Sequence, residues 1–435
     1  MRVLIDFIYL LTALAISPVF VYRVIRHKRY RTGWAQRFGK VTRKSPGKKC
    51  IWLHAVSVGE VNAAKTIVEE LQTRFRDFEI AISTTTDTGF GRAGKMFGQT
   101  LQVFYFPLDV SWTMHRAFRR IRPALCLLME LEVWPNFVEF ACKLNVPVLV
   151  LNGRISDKSF TKYKKIKPIT RMIFRRVTLV LAQTNEYAER FKELGCPAER
   201  VIVTGSLKYD TAQITDKVAG ADGLAEQLCI GEEVVWVAGA TGPGEEKIVL
   251  DVYSTLVGRS EFKNLRLVIV PRKPERFEEV ARLISEAGFD FSRYSTLKGT
   301  KRTLAEKIPV ILGDTMGDLR RFYSLATVIF VGRSLVPMGG SDMMEAAALG
   351  KCTIFGPHAF NFKQTVDALL AENGAIIVAN QQELLETVQR CLSDSAFAEQ
   401  IAQNGREVIR KNQGATAKTV SHITKFLRSS ETTVD

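Results

Sequence analysis

Apolar runs of three to six residues recur along most of the chain. Most end in a loop of small or polar residues, and stretches with apolar positions three or four apart lie between them. A run without polar alternation predicts a strand buried on both faces, and the three-to-four spacing predicts a helix laid against it. From Cys50 to Tyr209 the runs are Cys50–Leu53, Glu79–Ser83, Leu101–Phe106, Ala124–Met129, Val146–Leu151 and Thr178–Ala182. Ala219–Gly223 is short of large apolar residues and reads as a linker. A second series follows at Val234–Ala238, Leu265–Val270, Pro309–Leu312, Val328–Val331, Thr353–Phe355 and Ala375–Val378. The expectation is two similar doubly wound α/β domains joined by a hinge, with a cleft between them. A basic helical tail, Phe397 to Arg428, closes the chain, with Ser429–Asp435 frayed.

The first 30 residues break this rhythm. Val3 to Ile25 is the most apolar segment, interrupted by Asp6 and Pro18, and Arg23, Arg26, His27, Lys28, Arg29 and Arg31 follow it. About 20 apolar residues span a bilayer, and the cations place the following body on the cytoplasmic side. A cleaved signal peptide fits less well, because the cations follow the apolar run and no small-residue cleavage site closes it. The expected element is an uncleaved anchor, spanning or lying in the membrane plane.

The formal net charge of +16 and isoelectric point near 9.5 add an anionic partner to the picture. No RRM-like, zinc-finger or basic-zipper signature is present, so nucleic acid is not expected. The seven cysteines form no CxxC pair and read as reduced thiols, not as a disulfide or zinc framework. No metal site is expected.

Candidate chemistry gathers at strand ends, where parallel α/β sheets bind ligands. Ile51-Trp-Leu-His-Ala-Val-Ser-Val-Gly-Glu60 runs from a strand through small residues into a helix with apolar or small positions at Ala63, Ala64, Ile67, Val68 and Leu71. Ser57 and Glu60 fit a capping box. Glu60 also fits a general base, a carboxylate whose ionised form a helix start favours. Both readings stay open on local pattern. Ser83-Thr-Thr-Thr-Asp-Thr-Gly89 offers hydroxyls and another helix start. Glu130 and Glu132 follow a buried strand, where two acids need partners or a function. Arg154 and Lys208 reach the same edge, and Lys208 can balance Glu130 or a substrate anion. In the second domain, Gly239–Glu246, Pro271–Arg276, Gly313–Asp318 and Gly332–Glu345 are four loops on one edge. Their backbone amides, with Arg272 as a bidentate cation and Glu345 as a ribose acceptor, suit a nucleotide.

Six segments carry a resemblance: His54-Ala-Val-Ser-Val-Gly-Glu60, Glu130-Leu-Glu-Val-Trp-Pro-Asn136, Asn152-Gly-Arg-Ile-Ser156, Gly205-Ser-Leu-Lys208, Gly313-Asp-Thr-Met-Gly317 and Gly356-Pro-His-x-x-Asn-Phe362. With them the chain resembles the bacterial 3-deoxy-D-manno-octulosonic acid (Kdo) transferases of lipopolysaccharide synthesis, from the anchor to about Arg410. The resemblance implies a GT-B glycosyltransferase fold of two Rossmann-like domains and inverting transfer of Kdo from CMP-Kdo to a phosphorylated lipid A precursor, lipid IVA. It implies no cofactor and no catalytic metal, and work at the anionic surface of the bacterial inner membrane. By position it makes Glu60 the catalytic base and Glu130 with Lys208 a transition-state stabilising pair. It gives Pro271, Arg272, Met316, Gly317, Asp318, Asp342, Met343, Met344 and Glu345 to CMP.

The chain departs from the family pattern on the donor side. Where the family usually reads Gly-Gly-Ser-Leu-Val-Pro-His-Gly-Gly-His-Asn-Pro-Leu-Glu, Gly332 to Glu345 carries Arg333, Met338, Ser341, Asp342, Met343 and Met344. Gly242-Pro243 and Lys273 are further departures. Two alternatives therefore stand beside Kdo transfer: a related GT-B transferase with an altered donor, and an inactive lipid-binding relative. The expected layout is an anchor and basic flank at 1–30, an acceptor domain at 31–212, a linker at 213–224, a donor domain at 225–410 and a C-terminal helix and tail at 411–435.

Overall fold

Among the described residues fourteen strands form two sheets of seven, and every pairing between strands is parallel. The computed structural model describes residues 5–7, 9–12, 15, 17, 22, 32–300, 303–304 and 307–429. Most of the expected anchor, its cationic flank and residues 430–435 of the tail lie outside them. Among the described residues no helix is long and apolar enough to cross a membrane.

The first sheet contains β1 (Lys49–His54), β2 (Phe78–Thr84), β3 (Gln102–Tyr105), β4 (Pro123–Met129), β5 (Val148–Gly153), β6 (Leu179–Ala182) and β7 (Val201–Val203), ordered β3-β2-β1-β4-β5-β6-β7. Alternation along β1 divides its side chains between two cores. Trp52 packs among Phe104, Phe106, Phe118 and Phe137 on one face and donates its indole N–H to Ser83 Oγ at 2.8 Å. Ile51 and Leu53 join Ile67, Val68 and Leu71 on the other. That second core is completed by Val420, Ile423 and Leu427 of the helix Ala415–Ser429. The first compact unit is therefore the chain up to Thr211 together with the segment from Gln413 onward. Asp210 fixes the returning segment, accepting the N–H of Gly414 at 2.7 Å and that of Thr416.

The second unit is Ala212–Asn412. Its strands are β8 (Val235–Thr241), β9 (Arg266–Pro271), β10 (Phe291–Arg293), β11 (Val310–Leu312), β12 (Val328–Val331), β13 (Cys352–Phe355) and β14 (Ile376–Ile377), ordered β10-β11-β9-β8-β12-β13-β14. The expected linker at 213–224 falls inside this unit. Gly220, at φ 78°, starts a helix at Ala221–Gln227, whose Leu224 is buried and which packs on the helix Leu319–Leu325. Strands β7 and β10 were not expected from the pattern. Each is a three-residue edge strand with no buried residue; β10, Phe-Ser-Arg, offers no apolar run, whereas Val201-Ile202-Val203 of β7 is a short apolar run that the pattern reading passed over.

In both sheets the strand order reverses beside the first strand of the unit. The reversals lie between β1 and β4 and between β8 and β12. Within each unit the loops leaving the two strands at the reversal diverge to opposite sides, which is where a parallel sheet of this kind offers a crevice at its carboxyl ends.

Candidate active site

At the first reversal the chain turns from β1 through Ala55–Ser57 into the helix Val58–Ala63. Ser57 caps that helix, accepting the Glu60 N–H at 3.4 Å, and its hydroxyl donates to Glu60 Oε1 at 2.9 Å. Val56 N–H donates to Glu60 Oε2, also at 2.9 Å. The carboxylate thus holds the turn, as the capping reading required. It is also 8% exposed, and burial pushes its pKa from 4.5 to about 7, helped by the charges of Glu130 and Glu132. The two readings of Glu60 coexist in one geometry.

Glu130 leaves β4 across the same reversal with φ 53°, a left-handed conformation that costs a non-glycine residue of order 1 kcal/mol. Its N–H is held by Leu151 O at 2.9 Å. Among the described residues eight non-glycines have positive φ, and four of them, Glu130, Asn152, Ala240 and Arg333, stand at or just beyond the ends of β4, β5, β8 and β12. Strain is therefore concentrated at the edges where ligands bind. Glu132 accepts the Trp134 indole N–H at 2.9 Å, and burial raises its pKa. His54 stacks on Phe106 with ring centroids 3.8 Å apart, and burial drives its pKa down to about 3, so it is neutral.

Asn152 Oδ1 accepts the Leu207 N–H at 3.1 Å and so ties β5 to the helix Leu207–Thr211, which carries Lys208 and packs on the Val58–Ala63 helix. Lys208 and Glu130 are brought to one edge, but among the described residues no ion pair joins them. The last residue of the Glu130–Asn136 motif serves the framework, since Asn136 donates to Asp109 O at 2.6 Å and to Asp6 Oδ1 at 3.0 Å.

At the second reversal, Glu245 opens the helix Glu245–Val257 and is fully buried. Four backbone N–H groups converge on its carboxylate. Gly242 reaches Oε2 at 2.8 Å, Arg333 reaches Oε2, Ser334 reaches Oε1 at 2.7 Å and Leu335 reaches Oε1 at 2.9 Å. One side chain therefore ties the loop after β8 to the loop after β12. Its neighbour Glu246, equally buried, takes a two-pronged ion pair from Arg276 and holds the Pro271–Arg276 loop. Gly239 admits the buried Tyr323 ring, since a Cβ there would lie 2.3 Å from Cε1.

The expected nucleotide contacts divide by environment. Arg272 is exposed at the end of β9, with its N–H held by Thr241 O at 3.1 Å. Burial raises the pKa of Glu345, the Asp342 charge adds to this, and Arg320 and Arg272 pull it back. These four charges share one neighbourhood. Asp342 Oδ1 accepts the Met344 N–H at 2.9 Å, while Met343 and Met344 point into the core. Met316 is exposed, Gly317 adopts φ 94°, and Pro271 is buried as the last residue of β9. Asp318 is buried and engaged by Lys298, by Thr315 at 2.6 Å and by Arg321 at 3.2 Å. Among the described residues no three His, Cys, Asp or Glu side chains converge as metal ligands.

Residues 32–211 match the family model described as 3-deoxy-D-manno-octulosonic-acid transferase. Over 405 residues the chain is 34% identical to the 3-deoxy-D-manno-octulosonic acid transferase of Haemophilus influenzae, covering 93% of each protein. The chain belongs to this family. It is a glycosyltransferase, and it moves Kdo in lipopolysaccharide biosynthesis. The Bordetella pertussis enzyme of the same description is 31% identical over 399 residues, covering 90% of this chain and 91% of that one. A glycosyltransferase from Rickettsia africae superposes with a TM-score of 0.57 at 13% identity, covering 88% of this chain and 99% of that one. At that identity the likeness concerns the fold, which is GT-B.

In this Kdo transferase the pattern of the sequence did not reveal Glu245 and Glu246 as organisers, nor Arg320 as a neighbour of Glu345. The available signal was two adjacent acids directly after a glycine-rich turn. Apart from Gly242, the partners named above lie 30 to 90 residues away in the chain.

Proposed function

We propose that the protein transfers Kdo from CMP-Kdo to the lipid A precursor lipid IVA, with inversion at the anomeric carbon. The first unit takes the acceptor and the second takes the donor. The acceptor hydroxyl attacks the anomeric carbon, its proton passes to Glu60, and the bond from that carbon to the phosphate oxygen breaks so that CMP leaves. Glu130 and Lys208 stabilise the charge that develops. Arg272, the Met316–Asp318 turn and the Asp342–Glu345 segment hold CMP, whose departing phosphate calls for cations and backbone amides. Residues 1–30 anchor the enzyme in the bacterial inner membrane with the catalytic body on the cytoplasmic side, a placement supported by the order of the apolar run and the cations.

The observation that carries this reading is the Glu60 carboxyl, buried beside the strand reversal with a pKa near 7. A general base works best with a pKa close to the operating pH. The test is incubation of the enzyme with CMP-Kdo and lipid IVA, followed by mass spectrometry of the lipid. The expected result is a lipid heavier by one or more Kdo residues. Unmodified lipid, or transfer only from another sugar nucleotide, would overturn the proposal.

A further inference from the structure

The helices Asp157–Lys165 and Lys167–Phe174 follow β5 on the surface of the first unit. The first contains no buried residue at all. Its inner side is fastened by Phe160 and Tyr163, which pack on the core, by the ion pair of Lys164 with Glu193 at 3.1 Å, and by that of Asp157 with Arg190. The other side carries Lys158, Lys162 and Lys165, four and three residues apart and so on one stripe. None of these three has an ion-pair partner among the described residues. The second helix buries Thr170, Ile173 and Phe174. Ile166, at its N-cap, and Ile169 and Met172, within it, are exposed by 45%, 45% and 38%. Across residues 157–176 there are eight Lys and Arg and a single acid, Asp157.

A solvated helix face is expected to mix charge signs and to keep its apolar side inward. Residues 157–176 carry one acid against eight cations, and besides the apolar residues that it turns inward the pair leaves Ile166, Ile169 and Met172 exposed. It sets a row of cations beside a row of exposed aliphatic side chains, the composition of helices that lie in the interface of an anionic bilayer. From this we infer that the two helices form a membrane-docking surface, with Ile166, Ile169 and Met172 entering the headgroup boundary and Lys158, Lys162 and Lys165 meeting acidic lipid. The chain enters this surface directly from the site. Arg154 follows β5, and Ser156 caps the first helix, its hydroxyl accepting the Ser159 N–H at 3.3 Å. A lipid-linked acceptor would thus meet the strand edge close to the layer it comes from. Only this last step rests on the proposed function.

The test is hydrogen exchange of the full-length protein, followed by mass spectrometry, with vesicles of phosphatidylglycerol or of phosphatidylcholine. No CMP-Kdo or lipid IVA is present in the main arm. The amides of residues 157–174 are expected to exchange about 10-fold more slowly on phosphatidylglycerol, given the attraction of each surface lysine to acidic lipid. The triple variant Lys158→Glu, Lys162→Glu, Lys165→Glu should lose the slowing, while the amides of β1 and β4 keep wild-type protection as proof of folding. Equal rates on both lipids, or slowing that survives in the variant, would overturn the inference. So would slowing that appears only when lipid IVA is added, which would make the pair an acceptor site. A failure of Kdo transfer would leave each of these outcomes readable.

Discussion

Replacing Glu60 by Gln separates its two roles. The carboxylate accepts two hydrogen bonds, from Val56 N–H and the Ser57 hydroxyl. An amide can replace both, with its oxygen on Val56 and its N–H₂ donating to Ser57, so the helix start survives. What the amide cannot do is take a proton. The sign of the stability effect follows from the raised pKa. The contribution of Glu60 is full below its unfolded value of 4.5 and is lost as pH rises through about 7. The difference corresponds to roughly 3 kcal/mol, so at pH 8 the Gln variant should melt at or above the wild-type temperature. Its turnover should fall by about 100-fold or more, the scale of a lost general base. The wild-type rate should rise with pH and level off above about 7, and the variant should lose that limb. Glu60→Ala, which keeps neither hydrogen bond, should be less stable than the Gln variant by roughly 0.5–2 kcal/mol. Melting curves at pH 5 and 8 and a pH–rate profile for all three proteins decide the matter. A Gln variant within a few-fold of wild-type turnover, or one that keeps the pH limb, would refute the base assignment.

Arg272→Ala should weaken CMP binding in calorimetric titration by about 1.5–3 kcal/mol, the value of a charge-assisted hydrogen bond. Unchanged affinity would leave Arg272 a surface cation. Glu245→Gln turns an N–H₂ group toward the N–H groups of Gly242 and Arg333, or of Ser334 and Leu335. It should cost about 3 kcal/mol in denaturant unfolding of the second unit and weaken CMP binding, both measurable on one preparation. Gly239→Ala sets a methyl group against Tyr323 and should destabilise by about 1–3 kcal/mol, read as a lower melting temperature.

Buried strands were legible because burial on both faces leaves continuous apolar runs, and twelve of the fourteen strands overlap such a run. Of the two others, β10 is a half-exposed edge of mixed composition that nothing marks, and β7 is an apolar triplet, Val201–Val203, shorter than the other runs of its unit. Glu60 was legible for a related reason. A turn from strand to helix leaves a local signature, and Ser57 and Glu60 lie within one turn of each other. Glu245 was not, because its meaning depends on three N–H groups delivered by a loop nearly 90 residues later. Asp6 reads as a flaw in an apolar segment until the structure shows it accepting the Ser111 N–H and the Asn136 amide, each at 3.0 Å. Alanine and glycine around residue 220 mimic a linker, yet one buried leucine, Leu224, is enough to fix a helix there.

The return of the helix Ala415–Ser429 to the first unit has a consequence for biogenesis. Ribosomes release a chain at roughly 5–20 residues per second. The 201 residues of Ala212–Asn412 therefore hold the first unit open for roughly 10–40 s. Throughout that interval the side of the first sheet bearing Ile51, Leu53 and Leu127 lacks the cover that Val420, Ile423 and Leu427 later provide. The unit made first is finished last. A nascent chain of this enzyme must stay soluble with an apolar trough exposed, and a stop codon only a few dozen residues early would cripple the half of the molecule that had long since left the ribosome.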